Sequence, residues 1–299
     1  MLVLLASPTC WPASSSERGA ASGTLALQEL SSRKLPATFH PAEIVSGTRS
    51  VALLAVDGRH VALIDPGVQQ SAKILSLGTH NVDAVGLMSR GRVVALERTR
   101  DHELEFESTG ELRARRALKS AVHGSPVLYH RGHWYSVVPS HGPEGVLSVH
   151  RDGKPLVALP SSAFDVTTSV ALTAAEDGAI LVTDRRSPFT VALLSGGDRA
   201  KTVSVYDRSS WTPVADRQLD SLLDLRSRGA FAFRRRVVQT LVDPTSDVRF
   251  FVTSDRDGRA ARVTRVDAPI ALLGAVESYD LLVAMRRTPD PEVVFYSVR

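Results

Sequence analysis

An acidic or imidazole side chain recurs at nearly even spacing along this chain. The positions are 40, 42, 59 and 43 residues apart and are Asp83, His123, Asp165, Asp224 and Asp267. Converging like charges attract a counter-ion, so a ring of these groups would hold a cation or a basic ligand. The alternative, which we favour, is that each aspartate caps its own backbone in an Asx turn. The ring is still the best binding candidate that the sequence offers.

Histidines are concentrated in one stretch of the chain. Five of the nine are His123, His130, His133, His141 and His150. His130 and His133 flank the Arg131-Gly132 turn, where the two rings could share a metal, but a durable zinc site takes three or four ligands. Ordinary surface histidines explain the cluster better, and we expect no metal site here.

Motifs of catalysis and cofactor binding are missing from the sequence. Asp255, Asp257 and Gly258 resemble the start of a calcium loop, but its closing glutamate is absent, so a turn explains them. No G-x-S-x-G or H-E-x-x-H motif is present, and no glycine-rich phosphate loop opens a helix. We therefore assign no catalytic residue and expect no cofactor, although an enzyme that gathers its groups from several repeats stays an alternative.

The elements that would position these residues are short strands in a regular repeat. Gly67, Gly110 and Gly153 end successive turns and lie 43 residues apart. A fixed period of this size, carried by strand–turn–strand units, is the signature of a β-propeller. In such a ring each candidate acid would precede the innermost strand of its blade, near the mouth of the central channel.

We predict an all-β fold, a six-bladed β-propeller over residues 24–299. Residues 82–118 and 124–160 each form a four-stranded unit, the second with an Asp152-Gly153 hairpin turn. The chain stops one strand short, and residues 24–30 alternate well enough to complete the last blade and remove its open edge.

Residues 185–200 are the largest departure from the repeat. We predict that they form an insertion in a fourth unit, whose strands are expected at 168–174, 178–184, 201–206 and 211–216; a seventh blade would require an extra hairpin there. Four residues of this segment would be apolar anchors for a protein partner on an exposed loop. They are Pro188, Phe189, Leu193 and Leu194.

Residues 201–219 (KTVSVYDRSSWTPVADRQL) resemble the repeat of YVTN-type propellers, and residues 248–266 are a looser copy. In that repeat a strand ending in aspartate turns through small residues into a second strand. The resemblance covers one blade well and the others by spacing only. It implies a propeller of the YVTN and WD40-like superfamily in a bacterial, often exported, setting, and it carries over no active residue.

Residues 1–23 are predicted to be a leader and flexible linker. An apolar run at 1–6 is followed by Cys10 and by small polar residues, which resembles the end of a bacterial lipoprotein signal. Thr9 and Ser7 depart from that pattern, and a basic region is missing. The resemblance implies lipidation at Cys10 and a place in the periplasm, on the cell surface or outside the cell. A cytoplasmic protein with a disordered N-terminus is the alternative.

Composition narrows the class of function. Apolar residues make up 43% of the chain, the net charge is +4, and arginines are scattered through the predicted turns and outer strands. A nucleic-acid binder would gather its charge on one face, so we expect no nucleic acid. The predicted function is a non-catalytic binding or scaffolding propeller with a protein partner. The alternative is an enzyme or a cation or small-ligand binder that uses the acidic ring.

Overall fold

A computed structural model describes residues 27–298, apart from 48, 69, 140–145, 165–168, 176, 186–190, 196–201, 207–225, 234–235, 243–248, 258–261, 267–270 and 287–289. In this part of the chain the strands form six four-stranded antiparallel sheets. No helix among the described residues is long and apolar enough to cross a membrane.

The first three blades follow one another along the chain, each built from four consecutive strands. Blade 1 consists of β2 (Pro41–Ser46), β3 (Val51–Ala55), β4 (His60–Ile64) and β5 (Lys73–Ser76). Blade 2 consists of β6 (Val82–Leu87), β7 (Val93–Glu97), β8 (His102–Phe106) and β9 (Leu112–Ala117). Blade 3 consists of β10 (Val127–His130), β11 (His133–Pro139), β12 (Leu147–Arg151) and β13 (Lys154–Ala158).

In the last three blades the strands are again consecutive, except that the first strand of the domain completes blade 6. Blade 4 consists of β14 (Val170–Ala174), β15 (Ile180–Asp184), β16 (Val191–Ser195) and β17 (Thr202–Tyr206). Blade 5 consists of β18 (Arg226–Phe233), β19 (Arg236–Val242), β20 (Arg249–Asp255) and β21 (Arg262–Val266). Blade 6 consists of β22 (Ala271–Val276), β23 (Leu281–Arg286), β24 (Glu292–Val298) and β1 (Leu27–Lys34).

The six blades close into a ring around a central channel. The first strand of each blade contacts the first strands of the two neighbouring blades, in the order β2, β6, β10, β14, β18, β22 and back to β2. The chain is therefore a six-bladed β-propeller, as predicted. The predicted N-terminal closure is confirmed as well, since β1 pairs antiparallel with β24 from Leu27 opposite Val298 to Lys34 opposite Glu292.

The channel has two ends that differ in their loops. We call the end that carries the turns between the first and second strands of each blade the first-turn face. The end at which the first strands begin is the opposite face. Because the first strands all run in one direction, turns of the same kind from every blade gather on the same face.

The second strands of the blades form the core. All five residues of β3 are buried, and so are all five residues of β15. A strand in the middle of a blade is covered on both faces by the neighbouring blades, so its sequence is a continuous apolar run rather than an alternation.

The insertion predicted at 185–200 is wrong for Val191–Ser195, which forms the third strand of blade 4 and pairs with β15 and β17. The stretch Val191–Leu194 is fully apolar because this strand is covered on both faces, and that pattern was mistaken for loop anchors. The predicted strand at 211–216 lies outside the described residues.

Blades 2 and 3 are joined by a buried tryptophan. Trp134 is 1% exposed, and its Nε1 donates a hydrogen bond of 2.9 Å to Oε2 of Glu103 in blade 2. Its ring lies 4.9 Å from that of Tyr129. Tyr129 in turn packs on Gly86, where an added Cβ would lie 2.4 Å from the tyrosine side chain. The blades approach this closely because position 86 has no side chain.

Candidate functional site

A cavity of about 1000 Å³ occupies the channel. All six first strands contribute to its wall, and the rest of the lining comes from first-turn residues such as Arg49, Arg90 and Arg131. The rim is completed by four residues of the connection between β4 and β5 and by the first residue of β5, namely Asp65, Val68, Gln70, Ser71 and Lys73. None of the described loops that lead into the first strands takes part, so the cavity opens on the first-turn face.

The wall of this cavity is mainly apolar, with a polar edge. Its apolar lining includes Ile44, Val45, Leu128, Leu172 and Phe231. Each first strand pairs on one side only, with the second strand of its blade, so its other backbone edge faces the channel. Unpaired N–H and C=O groups on such an edge need water or a ligand as partner. The cavity therefore combines apolar side chains with backbone donors and acceptors.

Glu43 is an acid within the channel wall. It lies on β2, lines the cavity and is half-buried. Burial among the six first strands, together with the charge of Asp83, raises the pKa of Glu43 to about 8. The carboxyl is therefore mostly protonated at neutral pH, and it can donate a hydrogen bond into the cavity.

His130 supplies a second polar group to the same wall. It ends β10 and lines the cavity. Burial, and the charge of Arg131 beside it, lower the pKa of His130 to about 4, so its ring is neutral at neutral pH. Its Nε2 is buried and has no hydrogen-bond partner in the part of the chain that the structure describes. A buried polar atom without a partner carries a free-energy penalty that a ligand or a water would relieve.

The rim carries cations that have no carboxylate partner among the described residues. Arg49, Lys73 and Arg90 are exposed and line the cavity. Arginines just outside it are paired, since Arg92 bonds to Glu105 and Arg113 lies 3.2 Å from Glu107. Arg49, Lys73 and Arg90 are thus available to a ligand, whereas Arg92 and Arg113 on the flank of blade 2 are neutralised.

The Arg-Gly turns that carry two of the rim arginines have the same backbone form. Arg90 has φ 62° and Arg131 has φ 50°, and each precedes a glycine with φ of 71° or 85°. Two successive residues with positive φ are typical of the type I′ hairpin turn, where asparagine and glycine are the usual residues. The sequence shows this recurrence as two Arg-Gly pairs, but a turn between two strands explains such a pair without a ligand.

Two of the five predicted ring residues lie in the described part of the chain, and their side chains have different surroundings. Asp83 lies at a bulge in β6, and its Oδ2 accepts a 2.6 Å hydrogen bond from Nε of Arg100. The same guanidinium donates to the carbonyl of Gly124 in the loop that leads into blade 3. His123 is exposed in that loop.

The ring residues Asp165, Asp224 and Asp267 lie outside the described residues. The Asp83 carboxylate is held by a neighbouring turn rather than by its own backbone. Asp83 thus joins blade 2, through Arg100, to the loop that enters blade 3.

Two of the four predicted partner anchors lie in a buried strand. Leu193 and Leu194 are buried in β16, 5% and 2% exposed, so they form part of the core and present no exposed anchor. Pro188 and Phe189 lie outside the described residues, and so does Cys10. The contact of this segment with a partner is not supported at the two leucines.

His130 and His133 of blade 3 have different surroundings and do not form a shared site. His130 and His133 are opposite each other across the β10–β11 turn, as expected, but His133 Nδ1 lies 2.6 Å from Oδ2 of Asp152. His141 lies outside the described residues.

A different group, Glu97, Asp101 and His102, brings three ligand atoms within 4.8 Å of one another. Its members already have partners, since Arg115 donates to Glu97 at 2.8 Å and Asp101 bonds to Thr99 and His102. Ion pairing and turn geometry therefore explain this cluster without a metal.

No family model matches this chain, and no curated protein does. Solved structures do match. A member of the DUF4221 family from Bacteroides vulgatus superposes with a TM-score of 0.60 at 8% identity, covering 93% of this chain and 99% of that one. A luciferin-regenerating enzyme gives 0.55 at 8% identity, with coverages of 89% and 95%.

The β-propeller domain of Cps50 (Swd1) from Myceliophteria thermophila gives a TM-score of 0.52 at 10% identity, with coverages of 92% and 100%. At these identities the likeness concerns the fold alone. Together with the closed ring of six sheets, it shows that the chain has a β-propeller fold.

Proposed function

We propose that this chain is a non-catalytic binding propeller that takes a small ligand into its central channel from the first-turn face. The observation that carries the proposal is the cavity of about 1000 Å³, whose mainly apolar wall also holds the polar side chains of Glu43 and His130. Ligand pockets are typically concave and mostly apolar, with a few polar groups that fix orientation.

The chemistry of the lining supports binding rather than nucleophilic catalysis. Among the described residues that line the cavity, no hydroxyl is hydrogen-bonded to a histidine or a carboxylate. The Thr173 hydroxyl, for example, donates to the carbonyl of Ala230. An activated nucleophile needs such a base within hydrogen-bond reach.

The proposal is tested by protection of a cysteine placed in the channel. Cys10 is the one cysteine of the sequence, so Cys10→Ser provides a thiol-free background. Ala174→Cys puts a thiol in the cavity wall, and Leu112→Cys puts the control thiol on the exposed outer strand β9. Alkylation is measured with and without two small apolar probes, neutral N-phenyl-1-naphthylamine and anionic 1-anilinonaphthalene-8-sulfonate.

We expect at least one probe to slow alkylation at position 174 by about fivefold or more and to leave position 112 unchanged. If neither probe protects position 174, or if both positions are protected equally, ligand binding in the channel is refuted.

We extend the proposal to a location outside the cytoplasm, because of the apolar run at 1–6, Cys10 and the small-residue linker that follows. Lipidation would be checked by incorporation of a labelled fatty acid into the wild-type chain and into Cys10→Ser. Engagement of a protein partner through one face stays a prediction. The exposed large apolar side chains, such as Val56 and Leu112, lie on different strands and turns and do not mark one face for that contact.

A further inference from the structure

We propose that the channel ligand is a small anion with an apolar body, with its acidic group at Arg49, Lys73 and Arg90 and its apolar part inside the channel. This inference rests on ligand binding in the channel, and it adds the chemical class of the ligand. Three independent features of the cavity support it.

The first feature is the charge of the mouth. The exposed side chains of Arg49, Lys73 and Arg90 are all positively charged. Asp65 is the only exposed acid among the described lining residues. The Asp65 Oδ1 already accepts a 2.8 Å hydrogen bond from the backbone N–H of Gly67. A cleft lined by one sign of charge with low-dielectric walls concentrates ions of the opposite sign.

The second feature is that three of the rim cations, Arg49, Lys73 and Arg90, have no carboxylate partner among the described residues, although ion pairs are common nearby. On the adjacent flank of blade 2 one buried carboxylate, Glu105, is bonded by Arg92 and Arg116. No carboxylate takes that place for Arg49 or Arg90 in the described part of the chain. Guanidinium groups with free donors match a carboxylate or sulfonate in two parallel hydrogen bonds.

The turn backbone supports the same assignment at Arg90. A non-glycine residue with φ 62° and ψ 28° is in the left-handed region, which asparagine adopts more readily than arginine. A residue held in a sparsely populated conformation is a pointer to function when its side chain faces a cavity, as this one does.

The third feature is the interior. Beyond the rim the wall is apolar, with Leu128, Leu172 and Phe231 among its residues, so a fully hydrated inorganic anion would leave most of the channel surface without contact. An apolar body would bury against this wall, at about 25 cal/mol for each Å² removed from water. The side chains of Glu43 and His130 also line this wall, where the carboxyl of Glu43 offers a hydrogen bond to a polar atom of that body.

The experiment compares two probes that share an aromatic framework. 1-Anilinonaphthalene-8-sulfonate carries a negative charge, and N-phenyl-1-naphthylamine is its neutral counterpart. Their dissociation constants are measured by fluorescence titration for wild type and for Arg49→Gln/Arg90→Asn. Asparagine is chosen at position 90 because it suits the left-handed turn, so the fold is retained. Lys34→Gln/Lys154→Gln is the control, since both lysines are exposed and neither lines the cavity.

We expect the rim variant to weaken binding of the sulfonate probe by about tenfold or more and to leave the neutral probe within about twofold. The control variant should leave both probes within about twofold, and inorganic phosphate at millimolar concentration should not displace the sulfonate probe. Lys73→Gln is a further single variant, and it keeps the test open if the double variant fails to fold.

Two outcomes would overturn the inference in different ways. If both probes protect position 174 from alkylation and the rim variant weakens neither, the anionic class is wrong but channel binding stands. If neither probe protects position 174, channel binding fails as well. Displacement of the sulfonate probe by inorganic phosphate would also refute the requirement for an apolar body.

Discussion

Replacing Glu43 by glutamine is expected to stabilise the protein at neutral and alkaline pH. Its carboxyl lies in the channel wall, where burial and the charge of Asp83 raise its pKa from 4.5 to about 8. In the unfolded chain the same group ionises near its ordinary value, so between these two pKa values the folded state binds a proton that the unfolded state has released. Folding stability therefore falls as pH rises from about 4.5 to about 8.

The magnitude follows from the size of the pKa shift. Each pKa unit corresponds to about 1.4 kcal/mol, and at pH 7 the linkage from Glu43 reaches at most about 3 kcal/mol. Because the carboxyl is half-buried and in contact with channel solvent, we expect about 1–3 kcal/mol. Glutamine keeps the shape and the donor of the protonated acid but never ionises, so Glu43→Gln should recover this amount.

The measurement is urea unfolding of wild type and Glu43→Gln at several values from about pH 4.5 to about pH 8.5, with the difference in free energy of unfolding plotted against pH. The difference should be near zero at the acid end and should grow as pH rises. Glu111→Gln is the control, because Glu111 is exposed. A difference that does not change with pH, or that falls as pH rises, would show that Glu43 is ionised in the folded protein.

Three further predictions concern the packing of the blades. Gly86→Ala should lower the free energy of unfolding by about 1–3 kcal/mol, and a double-mutant cycle should show that the loss disappears in a Tyr129→Gly background, where both the ring and the Cβ that meet the new methyl group are gone. Trp134→Phe should lower the melting temperature and destabilise by about 1–3 kcal/mol, since the hydrogen bond to Glu103 and part of a buried ring are lost. Leu194→Ala should lower the free energy of unfolding by about 2–5 kcal/mol, whereas unchanged stability would mean that this side chain is exposed.

The ring of blades could be predicted from the sequence because each tight turn is encoded by the few residues that form it. Asp152 and Gly153 have φ of 50° and 75°, and these are the conformations that an Asp-Gly pair between alternating strands predicts. Closure by β1 was also predictable, because a blade that lacks one strand exposes an edge.

The third strand of blade 4 was missed, since a strand covered on both faces gives no alternation. Val191–Leu194 are all apolar, and a continuous run of this length reads equally well as a loop anchor or as a core strand.

The candidate site could not be predicted in the same way, because its residues share no motif. Glu43 and His130 come from the first strands of different blades, and only closure of the ring brings both to one cavity. The pKa of Glu43 is raised by burial and by the charge of Asp83 in the next blade, and neither is visible in the sequence around position 43. By contrast, the acids of the predicted ring could be found in the sequence because they recur at a regular spacing. A repeated structural role produces the same recurrence. Periodicity in a propeller therefore points first to architecture.

Arg100 on the opposite face and two arginines of the first-turn face have different surroundings. On the opposite face Arg100 is held by Asp83 and by the carbonyl of Gly124, so its charge joins two blades. On the first-turn face Arg49 and Arg90 have no such partner among the described residues. A cation that only stabilised the fold would gain from a carboxylate neighbour, as Arg100 does. Arg49 and Arg90 have no such neighbour among the described residues and line a largely apolar cavity, which is why we propose that they meet an anionic ligand.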